Sequence, residues 1–252
     1  MNDLATLRLL LDWGADEALG NDPVSRFGGA PAALTALSAL PAAPVALAAA
    51  MPGAHPGADL SGVATLAALY DAWAAFEGCP LRATATSIVR PSGAVGARLL
   101  LLGDAPSADD DRSGMAFSGA TGLIVDRVLD SAGLDRSRVL LAHIVPWRPP
   151  GNRPPSDAEM RSCLPFVHRL LHLVEATHIV LMGQAACRVL LGADDRLARL
   201  RGRWQDLVLA DGGTPMSALA MAPAESWLRT SNSRREVWSD LILLRITLDR
   251  TD

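Results

Sequence analysis

Lysine is missing from this chain: all 23 of its basic residues are arginine. That bias matches a GC-rich coding sequence and by itself points to no partner. Acidic residues outnumber arginines to leave a net charge of −4, which excludes a protein that coats nucleic acid by bulk charge. Cysteine is scarce. Cys79, Cys163 and Cys187 make an odd set with no close pair, which excludes a disulfide scaffold and fits a reduced, cytoplasmic setting. No run of 18 or more apolar residues occurs, so no membrane span and no membrane partner are expected. The first residues lack a basic stretch followed by an apolar one, so a secretory signal is not expected. Walker A, H-E-x-x-H, C-x-x-C and G-x-S-x-G patterns are all missing. The five histidines (His55, His143, His168, His172, His178) form no zinc-ligand pattern, and no metal site is expected from them.

What is present is an ordinary globular composition, half hydrophobic and one fifth charged. A chain of 252 residues can hold one α/β domain and an accessory segment. Charge is distributed unevenly. Residues 1–135 carry 7 arginines against 15 acids, and residues 136–252 carry 16 against 12, which permits a DNA-facing C-terminal half. Leu4, Leu7, Leu10 and Leu11 recur at helical spacing, predicting a helical segment over 1–28. Residues 29–58, rich in Ala, Pro and Gly, read as a linker. The remainder, 59–252, reads as one α/β domain that opens with a helical pattern over 60–76.

Beyond residue 97, short apolar strands alternate with helices. Strands are predicted at Arg98–Leu102, Val139–Val145, His178–Met182, Asp206–Leu209 and Ala218–Met221. Helices are predicted at Gly119–Ser131, Asp157–Val174, Gln184–Leu191 and Arg234–Ile246, the second opened by Ser156 with Glu159 three residues on. Such alternation favours a mostly parallel sheet covered on both faces. Ligands of such sheets sit beyond the carboxyl ends of the strands, so the loops after residues 102, 145 and 221 are the places to seek chemistry.

Three of those loops carry a pattern. The first runs Gly103-Asp104-Ala105-Pro106-Ser107, then Asp109-Asp110-Asp111-Arg112, then Gly114-Met115-Ala116-Phe117-Ser118-Gly119. The second is Trp147-Arg148-Pro149-Pro150-Gly151-Asn152-Arg153. The third is Ala222-Pro223-Ala224, followed by Leu228-Arg229 and Trp238-Ser239-Asp240-Leu241. Upstream stand Cys79-Pro80-Leu81 and Thr84-Ala85-Thr86. In order and spacing these segments resemble the uracil-DNA glycosylase superfamily, family 4 in particular, over roughly residues 76–245. The resemblance implies a three-layer α/β/α fold on a central, mostly parallel four-stranded sheet. It also implies a function: hydrolysis of the N-glycosidic bond of a base flipped out of DNA, uracil by default, in base-excision repair.

Carried over residue by residue, the resemblance makes Asp104 and His143 the catalytic candidates and Ala105, Phe117 and Asn152 the base-binding ones. Phe117 stands where the family stacks the base, or it is an ordinary core residue. Asp104 replaces the family's water-positioning Glu, one methylene shorter, or it caps the following turn. Asn152 contacts the base or serves as a left-handed turn residue. His143 stands where the family reads the base edge with Asn, and an imidazole cannot present an amide's paired donor and acceptor. Ala222 replaces a His that the family places near the uracil carbonyl, and loss of one such donor costs roughly 10²–10³ in rate.

Arg148, Arg153, Trp227, Leu228 and Arg229 are the DNA-binding candidates, with Arg234 and Arg235 as further phosphate contacts and Trp227 or Leu228 as a wedge or as packing under the loop. Arg196, Arg199, Arg201 and Arg203 contact phosphates or form a solvated loop. Family 4 enzymes usually hold an iron–sulfur cluster with four cysteines, and some cluster-free relatives share the Pro146–Arg153 pattern. Here only Cys79 and Cys163 stand at ligand positions, with Phe76 and Trp147 at the others, so no cluster and no cofactor is expected. Cys187 reads as a buried packing thiol. DNA, possibly uracil-containing, is the implied partner of a monomer. The competing reading is a catalytically impaired or inactive relative that acts as a DNA-binding or interaction module.

Overall fold

The computed structural model describes residues 60–174, 176–192, 195–209 and 215–251. The helical segment expected over 1–28 and the linker expected over 29–58 lie outside the described residues. Six strands form one sheet: β1 (Ser92–Gly93), β2 (Leu99–Gly103), β3 (Val139–His143), β4 (His178–Met182), β5 (Trp204–Leu207) and β6 (Met216–Met221). Their spatial order is β1-β3-β2-β4-β6-β5. The four middle strands are parallel, as the apolar runs predict. β1 and β5 add antiparallel edges, so the sheet is mixed and six-stranded rather than four-stranded.

Seven helices occur among the described residues: α1 (Leu66–Ala75), α2 (Ala108–Ser113), α3 (Gly119–Ser131), α4 (Asp157–Val174), α5 (Gln184–Leu191), α6 (Leu197–Leu200) and α7 (Ser231–Thr251). Successive strand residues point to opposite faces. Leu100, Leu102, Leu140, Ala142, Ile179 and Leu181 share a core with Trp73 of α1, Phe166 of α4 and Leu190 of α5. Leu99, Leu101, Val139, Leu141, Val180 and Met182 share the other with Val125 of α3 and Leu244 of α7. Three layers result, with the sheet in the middle. No helix among the described residues is long and apolar enough to cross a membrane.

Local chemistry sets the helix starts. Glu159 N–H donates to Ser156 Oγ at 3.3 Å and Ser156 N–H donates to the Glu159 carboxylate at 2.7 Å, the reciprocal box expected for α4. A second box, between Ser107 and Asp110, opens α2, and Gly114 at φ 72 closes it.

Candidate active site

The parallel register aligns Gly103, His143, Met182 and Met221 in a row at the carboxyl edge of the sheet. Three loops leave from that row. Together they bring Asp104, Phe117 and His143 to one place, the part of the sequence-derived set that converges.

Phe117 and His143 stack on each other, ring centroids 4.5 Å apart and planes 28° from parallel. Gly103 makes room for both. A Cβ there would stand 2.8 Å from His143 Nδ1 and 2.8 Å from Phe117 Cζ. Phe117 adopts φ 51, a left-handed conformation that costs a bulky residue free energy and has to be held from outside. Arg136 supplies the hold, donating from Nη2 to the Phe117 carbonyl at 2.5 Å, from Nη1 to Ser92 Oγ at 2.9 Å and from Nε to Asp126 at 2.7 Å. Phe117 is therefore a buried side chain whose ring offers a face to a flat ring. In this structure that ring is His143.

His143 is only 4 % exposed, and its Nε2 lies 3.3 Å from Asp110 Oδ2. The contact attracts when the imidazole is protonated, but it is not aligned as a hydrogen bond, and Nδ1 too has no hydrogen-bond partner among the described residues. Asp110, 1 % exposed, also accepts from Ser107 N–H at 2.9 Å, from Ser118 N–H at 2.6 Å and from Ser118 Oγ at 2.9 Å. Burial alone pushes this carboxyl up. The close imidazole and the two backbone donors outweigh it and hold Asp110 well below the usual carboxylate range. Asp110 is the site residue that the sequence reading passed over. Its only signal was the Ser-x-x-Asp spacing of a capping box.

Asp104 is committed elsewhere. Its carboxylate accepts from Ala186 N–H at 2.7 Å and from Ala185 N–H at 3.4 Å, capping the amino end of α5 rather than the turn that follows Asp104 itself. Gly183, the residue before α5, has φ 132, and a Cβ there would stand 2.2 Å from Asp104 Oδ2. Burial pushes the Asp104 carboxyl up, and the two N–H donors and the charge of His143 oppose it. Ala105, half-buried, sits beside it in the loop.

The other candidates fall at the margin. Asn152 is exposed at φ 56, and its amide oxygen accepts from Arg148 Nε at 2.6 Å. This is the turn role, and no hydrogen bond or ring contact among the described residues ties Asn152 to Phe117 or His143. Arg153 makes a two-pronged ion pair with Glu159, at 2.8 and 2.5 Å. Trp227 is 1 % exposed and donates its indole N–H to the Ala222 carbonyl at 2.7 Å, so it packs under the loop and is not a wedge. Leu228 is 43 % exposed and Arg229 is exposed beside it. Within the arginine-rich stretch, read in part as a loop, Leu197–Leu200 is helical. Arg201 there is paired with Asp240 at 2.7 Å and with Glu236, which takes it out of the phosphate-binding set.

On the opposite face of the sheet, Cys79 and Cys163 are buried, and their mutual influence lowers the Cys79 thiol and pushes the Cys163 thiol up. Trp147 is buried in the same cluster and Phe76 packs against it. These residues do not fit a four-cysteine iron–sulfur cluster. Two of the four positions carry aromatic rings, and no group of three metal-ligating side chains exists among the described residues.

Fold and site thus define an α/β protein whose ligand seat lies at the carboxyl ends of a parallel sheet. The model of the Uracil DNA glycosylase superfamily matches residues 91–242, more than half of the chain, and the chain belongs to that superfamily. It is similar to the Type-4 uracil-DNA glycosylase of Pyrobaculum aerophilum, 29 % identical over 126 residues, 50 % of this chain and 64 % of the relative. Its similarity to the Archaeoglobus fulgidus enzyme of the same name is 31 % over 129 residues, 50 % of this chain and 65 % of the relative. The corresponding Thermotoga maritima protein is 28 % identical over 125 residues, 49 % of this chain and 65 % of the relative. The matches therefore span a little under two thirds of each relative.

Proposed function

We propose that this chain is a DNA N-glycosylase that hydrolyses the bond between deoxyribose and an extruded base, uracil by default, through a pared-down site. The observation that carries the proposal is the Phe117–His143 stack, a seat of aromatic-ring dimensions at the carboxyl edge of the sheet. For a base to lie on Phe117, the imidazole swings off the ring and meets the base edge instead. As the glycosidic bond breaks, the base leaves with the electron pair and water adds to the sugar C1′. In this reading Asp104 orients that water beside its two α5 donors, the water's proton ends on the departed base, and backbone N–H groups of the first loop stabilise the charge as it leaves. Leu228 and Arg229 take the DNA-facing position.

A second reading has its own observation. Asp104 already satisfies two N–H groups of α5, and Ala222 offers no donor, which favours a DNA-binding protein without excision. Single-turnover cleavage of uracil-containing single- and double-stranded oligonucleotides, with protein in excess and binding followed in parallel, separates the two. Excision abolished by Asp104→Asn supports the glycosylase. Tight binding with no cleavage establishes the second reading.

The proposal includes the cofactor: this protein works without an iron–sulfur cluster. Purified protein is expected to be colourless, and broad visible absorbance with stoichiometric iron overturns this.

A further inference from the structure

Helix α7 is apolar on two opposite sides. Val237, Leu241, Leu244 and Leu248 are buried in the core of the domain. Trp238, Ile242 and Ile246 are 52 %, 45 % and 47 % exposed. The rest of the exposed surface of α7 is mostly polar, so these three side chains stand out as an apolar row. At about 100° per residue, Arg235, Trp238, Ile242, Arg245, Ile246 and Asp249 fall within an arc of roughly 100° on the side away from the core. This outer face is a continuous stripe, charged at both ends and apolar between, along a 21-residue helix.

The order of residues in that stripe is self-complementary. When two copies of α7 lie antiparallel about a two-fold axis through Ile242, position 242 meets itself, 238 meets 246, and 235 meets 249. Trp238 then packs on Ile246 of the other copy, and Arg235 faces Asp249, which already holds Arg245 of its own helix at 2.7 Å. Each end gains an Arg–Asp–Arg cluster, and no like charges oppose each other along these three pairings. A parallel arrangement would instead set Arg235 against Arg235 and Asp249 against Asp249.

We infer that the outer face of α7 is a homodimer interface, with a second copy of this chain as the occupant, in antiparallel register on Ile242. One helix pair is a small interface, at the low end of what holds proteins together, so the dimer is a weak one. The monomer expected from the sequence is the alternative that this inference sets aside.

Sedimentation of the full chain between about 1 and 100 µM tests the inference, together with cross-linking that reads the register. The mass is expected to rise to twice the monomer across that range. Trp238→Glu and Ile242→Glu, each with unchanged helical circular dichroism, are expected to weaken self-association by ~10-fold or more, as for the centre of an interface. The three native cysteines are buried, so introduced thiols report alone. Under mild oxidation Ile242→Cys is expected to cross-link to itself. Trp238→Cys is expected to cross-link efficiently only when mixed with Ile246→Cys. A chain that stays monomeric at 100 µM overturns the inference, whether α7 is then covered by another segment or by another protein. A dimer that survives Ile242→Glu overturns it equally.

Discussion

His143 decides what the site can accept. Its imidazole lies on the face of Phe117, so under the proposed function a base would compete with this ring for one seat. His143→Asn shortens the side chain, clears that face and supplies an amide with a paired donor and acceptor. Ala222→His returns a donor near the departing base. The double variant is expected to excise uracil ~10²-fold or more faster than His143→Asn alone, the usual worth of one such donor, in single-turnover assays. If the second change adds nothing in a folded protein, the departing base does not lie near position 222. At this scale the sequence told part of the story. The loop pattern brought Phe117, His143 and Asp104 into one site. It could not show that His143 rests on Phe117, because that depends on Gly103 leaving room for both rings. Nor could it show Asp104 bound to α5, because the partners are 81 and 82 residues away in the chain.

Among elements, α5 and α4 depend most on charges placed at their amino ends. Asp104→Ala leaves two N–H groups at the start of α5 without an acceptor and is expected to cost about 1 kcal/mol, in the range of a lost helix cap. Asp104→Asn keeps an oxygen acceptor, and burial already disfavours the charge, so it is expected to cost less. Paired thermal melts check both. At α4, the Arg153 guanidinium and the Ser156 N–H hold Glu159 at about 2, against burial that raises it. An unfolded glutamate titrates near ~4.3. The folded value lies below the unfolded one, so this stabilisation is complete above ~4.3 and is lost as pH falls from there towards about 2. Asp110 works in the same direction. Asp104 and Asp240, pushed up by burial, have the opposite sign, and the fold gains from their protonation. Glu159→Gln is expected to flatten the acid limb of a stability–pH curve measured by denaturant melts. The helices with long periodic patterns and caps were legible to the residue, as Gly119–Ser131, Asp157–Val174 and Gln184–Leu191 show. Edge strand β1, two residues long, has no period to read. Helix α2 carries three consecutive acids that look solvated, yet Asp110 and Asp111 are buried. Asp111 accepts from Thr86 N–H and Oγ1 at 2.9 Å each, and from Ser87 N–H at 3.3 Å.

For the whole molecule, the positive excess of the C-terminal half overstates its reach for DNA. Arg153, Arg188, Arg199, Arg201 and Arg245 all face carboxylates of their own chain. If only Arg148 and Arg229, the arginines beside the candidate site, engage phosphate, two contacts form. Since each neutralised phosphate contributes about −0.9 to the slope of log K against log salt on duplex DNA, a slope near −2 is expected, and a slope near −6 would show that other arginines engage. One feature of the seat reaches further. A ring tethered beside Phe117 is present at an effective concentration far above that of any freely diffusing base, of the millimolar order typical of short tethers. On the proposed excision, the imidazole would return to the ring once the bond is cut and displace the detached base, so free uracil is expected to inhibit poorly, which a product-inhibition assay checks.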